Sequence, residues 1–357
     1  MKKLLVTLEY PPYHGGIAHY YGHLVQFSPE SIAVLTNAQG YLINQHWPAF
    51  KWLPSLYWIA RAIKEHRADQ ILVGQILPIG TAVFLLSRFL PIRYTVFLHG
   101  LDLSQSQATP IKKFLAKLIL NHAHRIICAN SRTAAEARGL VEPDQITAIK
   151  VVNPGIDHKA FIYDETLIAK LKTKYQLQSK KVLLTVARLV HRKGIDLVLH
   201  ALAACADPSL CYVIIGEGPE AAKLRQLITE LNLESQVILL SAVDDETRDH
   251  FFQIADIFIM TSRDQGGDYE GFGIVYLEAA LAGKPVIASS GGGVTDAVID
   301  NQTGLLVKPE PEAIKVAITK LISYDGLARR LADNGRRRAQ QNFAWPDQAR
   351  KIIDIIS

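Results

Sequence analysis

Short apolar runs alternate with amphipathic stretches along nearly the whole chain. In the first half, runs at Leu4–Leu8, Ile32–Leu35, Gln70–Val73, Tyr94–Leu98, Arg125–Cys128 and Ala148–Val152 read as strands. Segments with helical spacing lie between them, at 16–27, 55–67, 78–89, 110–122 and 131–139. The strands are apolar almost throughout rather than alternating, so both faces are expected to be buried. That is the signature of a parallel sheet covered by helices on both sides.

The alternation pauses after the turn-forming Asn153-Pro154-Gly155, in a polar, weakly periodic segment reaching Lys180. It then restarts. Strands are expected at Val182–Val186, Tyr212–Ile215, Val237–Leu240, Ile257–Met260, Val286–Ala288 and Gly304–Val307. Helices are expected at 194–206, 219–231, 245–254, 272–282, 311–323, 326–341 and 346–356. The pattern predicts an α/β protein of two doubly wound parallel-sheet domains facing a central cleft. One covers 1–155 and the other 156–344. Ligands of such sheets bind beyond the carboxyl ends of the strands. In the last helix Ala349, Ile352, Ile353 and Ile356 share one face. That face is expected to pack 345–357 back on the first domain.

Length and composition agree with two globular domains: 357 residues, 49% hydrophobic and 20% charged, which excludes a disordered or collagen-like chain. The opening run Leu4–Leu8 is too short for a signal peptide and reads as a buried strand. The longest apolar stretch, Ile76–Leu86, holds Pro78 and Gly80 and is too short to cross a bilayer. Cys128, Cys205 and Cys211 are odd in number and lack metal-ligand spacing, so free thiols in the cytoplasm are expected.

Charge is uneven. Through Pro154 the chain has 15 basic and 8 acidic residues, a net of +7, and the remainder carries −2. A basic first half points to an anionic partner such as membrane lipid or a phosphorylated acceptor. No nucleic-acid recognition signature is present. Within this half, Ile111, Leu115, Leu118 and Ile119 would form an apolar helical stripe flanked by Lys112, Lys113 and Lys117. Such a helix suits peripheral attachment to the inner face of a membrane, and equally suits packing on the sheet.

Five loops carry candidate chemistry. In Glu270-Gly271-Phe272-Gly273-Ile274, ahead of Glu278, glycines at an expected helix start let a ligand approach backbone N–H groups. The two glutamates can accept hydrogen bonds from sugar hydroxyls, although alone they would fit an ordinary capped helix. In Ala187–Gly194, Arg188 and Lys193 follow a strand and precede a helix, so both can converge on a diphosphate; a solvated basic loop is the other reading. Gly216-Glu217-Gly218-Pro219 has the form of a nucleotide-side loop. In the first half, Tyr10–Gly16 precedes a helix with Gly15-Gly16, and His99-Gly100-Leu101-Asp102 ends a strand. Asp244-Asp245 reads as a helix cap rather than a metal site.

In this order, these motifs resemble glycosyltransferase family 4, retaining enzymes of the GT-B fold. The resemblance spans nearly the whole chain. It rests on Glu270-x7-Glu278, Arg188-x4-Lys193-Gly194, Gly216–Pro219, Gly15-Gly16, His99–Asp102 and Asn153–Asp157. The segment Gly266–Gly273 is most similar to bacterial phosphatidylinositol-mannoside mannosyltransferases. Two positions depart from the family pattern, Thr295-Asp296 after Gly292-Gly293 and Ser241 after a strand. Both leave the base preference open.

The resemblance implies a hexosyltransferase acting on a nucleotide-diphosphate sugar without metal or other cofactor. The acceptor would be a glycan, a lipid-linked molecule or a small molecule. Arg188 and Lys193 would neutralise the leaving diphosphate. Glu270, with the amides of Gly271, Phe272, Gly273 and Ile274, would hold the sugar. Glu278 would hold the ribose. Gly15 and Gly16 would lie near the phosphates, Gly216 beside the nucleotide and His99 against the donor sugar. A sugar-nucleotide 2-epimerase of the same fold is the alternative.

Overall fold

The computed structural model describes residues 2–13, 15–44, 50–157, 164–241 and 243–357. They divide into two compact units, 1–155 with 345–357 and 156–344.

In the first unit the elements run β1 (Lys3–Thr7), α1 (Gly16–Phe27), β2 (Ile32–Thr36), α2 (Leu53–His66), β3 (Gln70–Val73), α3 (Ile79–Ser87), β4 (Arg93–Leu98), α4 (Leu101–Ser106), α5 (Pro110–Asn121), β5 (Arg125–Cys128), α6 (Ser131–Arg138) and β6 (Ile149–Val151). The strands form a parallel sheet in the order β2-β1-β3-β4-β5-β6. β1 and β3 are buried along their whole length, as continuous apolar runs require. The strand order reverses between β1 and β3, so the loops after these strands frame this sheet's ligand crevice.

The second unit contains α7 (Glu165–Lys174), β7 (Lys181–Val186), α8 (Ile195–Cys205), β8 (Leu210–Ile215), α9 (Ala221–Glu230), β9 (Val237–Leu240), α10 (Asp245–Ile254), β10 (Ile257–Met260), α11 (Ile274–Leu281), β11 (Val286–Ser289), α12 (Val294–Ala297), β12 (Leu305–Val307), α13 (Pro311–Ser323) and α14 (Asp325–Asn342). Its sheet is also parallel, in the order β12-β11-β10-β7-β8-β9, with the reversal between β7 and β10. The loops at that reversal are 187–194 and 261–273, which carry most of the residues singled out from the sequence.

The last helix, α15 (Trp345–Ile356), belongs to the first unit. Ala349, Ile352, Ile353 and Ile356 are buried in one cluster with Leu5, Leu24, Leu72 and Phe97. Trp345 is 1% exposed and stacks on His23 at 5.4 Å, with Tyr20 edge-on at 5.3 Å. The Gln70 amide donates to the Ile356 carbonyl at 2.6 Å, and Arg125 Nε donates to the Ile355 carbonyl at 3.1 Å. These two side chains satisfy carbonyls that a helix end leaves unpaired.

Three expectations are corrected. The helix expected over 272–282 begins at Ile274, because Gly273 stands at φ +76° as its N-cap. The segment after Pro154, read as weakly periodic, holds α7, capped by Asp164 accepting from Thr166 N and Leu167 N; residues 158–163 lie outside the described residues. On α5 the apolar stripe is split. Ile119 is buried against Gly80, and the apolar side chains facing solvent are Ile111 and Phe114, 74% and 65% exposed. The sheet claims the face of the helix that it needs, and Phe114 takes the outward place expected of Leu115.

Candidate active site

In the second unit, β7 delivers the chain into a short 3-10 turn over His191–Lys193, and β10 delivers it into the loop ending at Glu270. The two loops are tied together. The Arg263 guanidinium forms a fork with Asp196, Nη1 to Oδ1 at 2.7 Å and Nη2 to Oδ2 at 2.5 Å, and Arg263 N donates to the Arg192 carbonyl at 2.7 Å. Burial raises the Asp196 pKa, but Arg263 outweighs it and the net shift is downward. Gly194 stands at φ +68°, where an added Cβ would lie 2.1 Å from the Thr261 carbonyl. Only glycine permits the loops to meet this closely.

At their meeting point Glu270 is 8% exposed. Its Oε2 accepts from Lys193 Nζ at 2.5 Å, from Arg192 Nη1 at 2.9 Å and from Ser262 Oγ at 3.2 Å. Arg192 also pairs with Asp268 through Nε at 2.9 Å. Burial pushes the Glu270 pKa up, but Lys193 and Arg192 overcome it, and the carboxyl is held below its ordinary range. Behind Glu270, Gly293 N donates to its carbonyl at 2.8 Å, and a Cβ on Gly292 would lie 2.4 Å from that oxygen. The glycine run after β11 therefore seats the backbone of Glu270.

The expected residues are distributed around this cluster. Lys193 and Glu270 are in contact. Arg188 is exposed and forms no ion pair with a described residue; Arg192 makes the contact instead. The side chain of Phe272 is in the core, 5.7 Å from the Phe343 ring, which leaves only its backbone for a ligand. Gly271, Gly273 and Ile274 form the turn into α11, whose first N–H groups are the anion-favouring end of a helix. Gly216 follows β8 at φ +149°, its missing Cβ clearing the Ala187 carbonyl. Glu278 is half-buried within α11. Burial raises its pKa to about 7, with Arg248 opposing and Asp249 and Asp245 adding to the rise.

In the first unit, His99 directly follows β4 and its ring packs edge-on against Tyr20 and Tyr21. The backbone N–H groups of His99 and Gly100 both donate to Asp102 Oδ1 at 2.9 Å. Asp102 Oδ2 is buried without a hydrogen-bond partner among the described residues, and burial raises the carboxyl's pKa to about 6. Burial lowers the His99 pKa to about 4, so the ring is neutral at neutral pH. Gly15 caps α1 with open space around Gly16, and the Glu9 carboxylate leans toward Gly15. His14 of that motif lies outside the described residues. No group of three His, Cys, Asp or Glu side chains suited to a metal ion occurs among the described residues.

Arg192, Asp268 and Tyr21 were not singled out from the sequence. Arg192 was visible as a third cation in its loop, but spacing gave no reason to prefer it.

The chain matches Glycosyltransferase Family 4 over residues 22–160 and Glycosyl transferases group 1 over residues 168–338. It is a glycosyltransferase of the GT-B type, and the family expected from its motifs is the one to which it belongs. Among its relatives is the GDP-mannose-dependent alpha-(1-6)-phosphatidylinositol monomannoside mannosyltransferase of Mycolicibacterium smegmatis, 28% identical, with 99% of this chain and 98% of that protein covered. Another is the GDP-mannose-dependent monoacylated alpha-(1-6)-phosphatidylinositol monomannoside mannosyltransferase of Corynebacterium glutamicum, 26% identical over 99% of this chain and 97% of that protein. In fold it is similar to Anabaena HepE in complex with UDP, with a TM-score of 0.83, 22% identity and 99% of each chain covered.

Proposed function

We propose that this glycosyltransferase moves a hexose, with mannose the leading candidate, from a nucleotide-diphosphate sugar to a lipid-linked or glycan acceptor, retaining the anomeric configuration and needing no metal. The observation that carries this reading is the pair of cations, Lys193 and Arg192, held on one carboxylate oxygen of Glu270 at the switch point of the second sheet. A diphosphate entering there competes with that oxygen for the cations. Glu270 is then free to accept hydrogen bonds from sugar hydroxyls, with the N–H groups at the start of α11 beside it. Arg188, exposed and without an ion pair to a described residue, is available to the same diphosphate.

In the reaction the bond from the anomeric carbon to the diphosphate oxygen breaks. A bond to the acceptor oxygen forms on the same face, and the acceptor proton passes to the departing phosphate oxygen. Fixed cations stabilise the charge that develops on the leaving group. His99 is assigned to the donor sugar, Glu278 to the ribose, Gly216 to the nucleotide side, and Gly15 and Gly16 to the phosphate side. The relatives' GDP-mannose and phosphatidylinositol mannosides make mannose and an inositol lipid the first donor and acceptor to test. Ile111 and Phe114, beside Lys112 and Lys113, would attach the first unit to an anionic membrane surface as a peripheral protein.

The test is product analysis with GDP-mannose and with UDP-glucose, each with and without a phosphatidylinositol monomannoside acceptor. Transfer that needs the acceptor is expected. An epimerised sugar formed without acceptor would identify an isomerase instead.

A further inference from the structure

Tyr21 is fully buried on α1, and its hydroxyl has two partners. It lies 2.7 Å from the Gly74 carbonyl oxygen and 2.9 Å from Nε2 of His99. A carbonyl oxygen only accepts, and a phenol has one proton to give. Two oxygens 2.7 Å apart need a proton between them, so the phenol proton points at Gly74. The contact with His99 must then be donated by the imidazole, which places a hydrogen on Nε2. In the neutral ring this leaves Nδ1 with its lone pair. His99 is half-buried, and Nδ1 bonds to no described residue and is not sealed from solvent. Tyr20 at 4.9 Å and Tyr21 at 5.5 Å, both edge-on, hold the plane of the ring.

We propose that Tyr21 is a positioning residue that locks His99 in the Nε2–H tautomer, so that Nδ1 meets the substrate as a hydrogen-bond acceptor for a hydroxyl. The proposal rests on the reading of His99 as a group that touches the sugar. It narrows that reading: an acceptor nitrogen binds a hydroxyl, whereas an imidazolium or an Nδ1–H would favour phosphate. The relay is Gly74 carbonyl, Tyr21 hydroxyl, His99 Nε2–H, and it begins at the end of β3, beside the strand-order reversal of the first sheet.

Nitrogen-15 histidine labelling of the full chain, with long-range proton–nitrogen correlation at pH 7, reads which ring nitrogen carries the proton. His99→Gln assigns the signal. The wild type is expected to show a protonated Nε2 and a bare Nδ1; an Nδ1–H tautomer or a doubly protonated ring overturns the proposal. Tyr21→Phe keeps the ring and removes only the relay. It is expected to show mixed tautomers and at least a tenfold lower kcat with GDP-mannose, or with UDP-glucose if that is the wild type's donor, and a KM within about threefold. If Tyr21→Phe keeps both the tautomer and wild-type turnover while His99→Ala is slow, Tyr21 does not position the ring. If His99→Ala turns over fully, the substrate contact fails, and with it the use assigned to Nδ1. Should Tyr21→Phe not fold, the wild-type tautomer still decides.

Discussion

Lys193 and Arg192 share one oxygen of Glu270, whereas Arg188 stands exposed a few residues earlier. The three substitutions should therefore separate. Arg188→Ala is expected to lower kcat by about 10²–10³-fold, the scale for losing one preorganised charge donor, with no change in melting temperature. Lys193→Ala should lower kcat similarly and also change stability, because it strips a buried carboxylate of its nearer cation. Full turnover in Arg188→Ala would remove that residue from the clamp.

Glu278 gives a pH test. Its native pKa is raised to about 7 by burial, against an ordinary value of about 4.3 when unfolded. Between these values the folded chain holds a proton that the unfolded chain has lost. Stability from this group therefore falls as pH rises through that window and levels off above it. Glu278→Gln is expected to melt higher than wild type at pH 8, by more than it does at pH 5. An equal difference at both pH values would contradict the assignment. For Glu270 the sign is opposite: its lowered pKa contributes stability that is lost on acidification.

Lys193 and Glu270 were legible as members of one candidate site because glycines and strand ends surround them. Arg192 was not, since three cations in one loop cannot be ranked without the loop's turn. Tyr21 was hidden for another reason. It occupies a core position on an amphipathic helix, and nothing in the local sequence distinguishes a tyrosine that fills space from one that holds a histidine.

At the scale of elements, α15 depends on Trp345. The indole is buried against Tyr20 and His23, and a Cβ on Gly155 would lie 2.7 Å from it, so the turn at Asn153–Gly155 is shaped to receive the ring. Trp345→Ala should cost about 3–5 kcal/mol, the usual penalty for emptying a large aromatic site, read from the denaturant midpoint of the first unit's transition. A loss under about 1 kcal/mol would mean that the helix is not integral to that unit.

The strands were easy to find from sequence, because a parallel sheet covered on both faces requires uninterrupted apolar runs. The short helices were not: α4 and α12, of 6 and 4 residues, are too short to show a period. The start of α11 was misplaced by two residues because the positive φ of Gly273 breaks a helix that hydrophobic spacing alone would extend.

Over the whole molecule, three of the first half's 15 basic residues lie on α5. Its first turns expose Ile111 and Phe114 beside Lys112 and Lys113, while Lys117 is engaged with Glu142 at 2.6 Å. No helix among the described residues is long and apolar enough to cross a membrane. Wild-type protein is expected to sediment with anionic vesicles at low salt and to be released by high salt or by Lys112→Glu with Lys113→Glu, since each surface-proximal cation is worth about 1 kcal/mol. Protein that stays in the supernatant at low salt would favour a soluble acceptor.

The reaction we propose is sugar transfer with retention, driven by protein cations at the Glu270 cluster. Proton NMR of the product made from GDP-mannose and phosphatidylinositol monomannoside, in excess chelator, reads linkage and metal dependence together. An α-linked mannoside, matching the donor's anomeric configuration, is expected at a rate unchanged by the chelator. A β-linked product, or activity abolished by the chelator and restored by Mg²⁺, would contradict it.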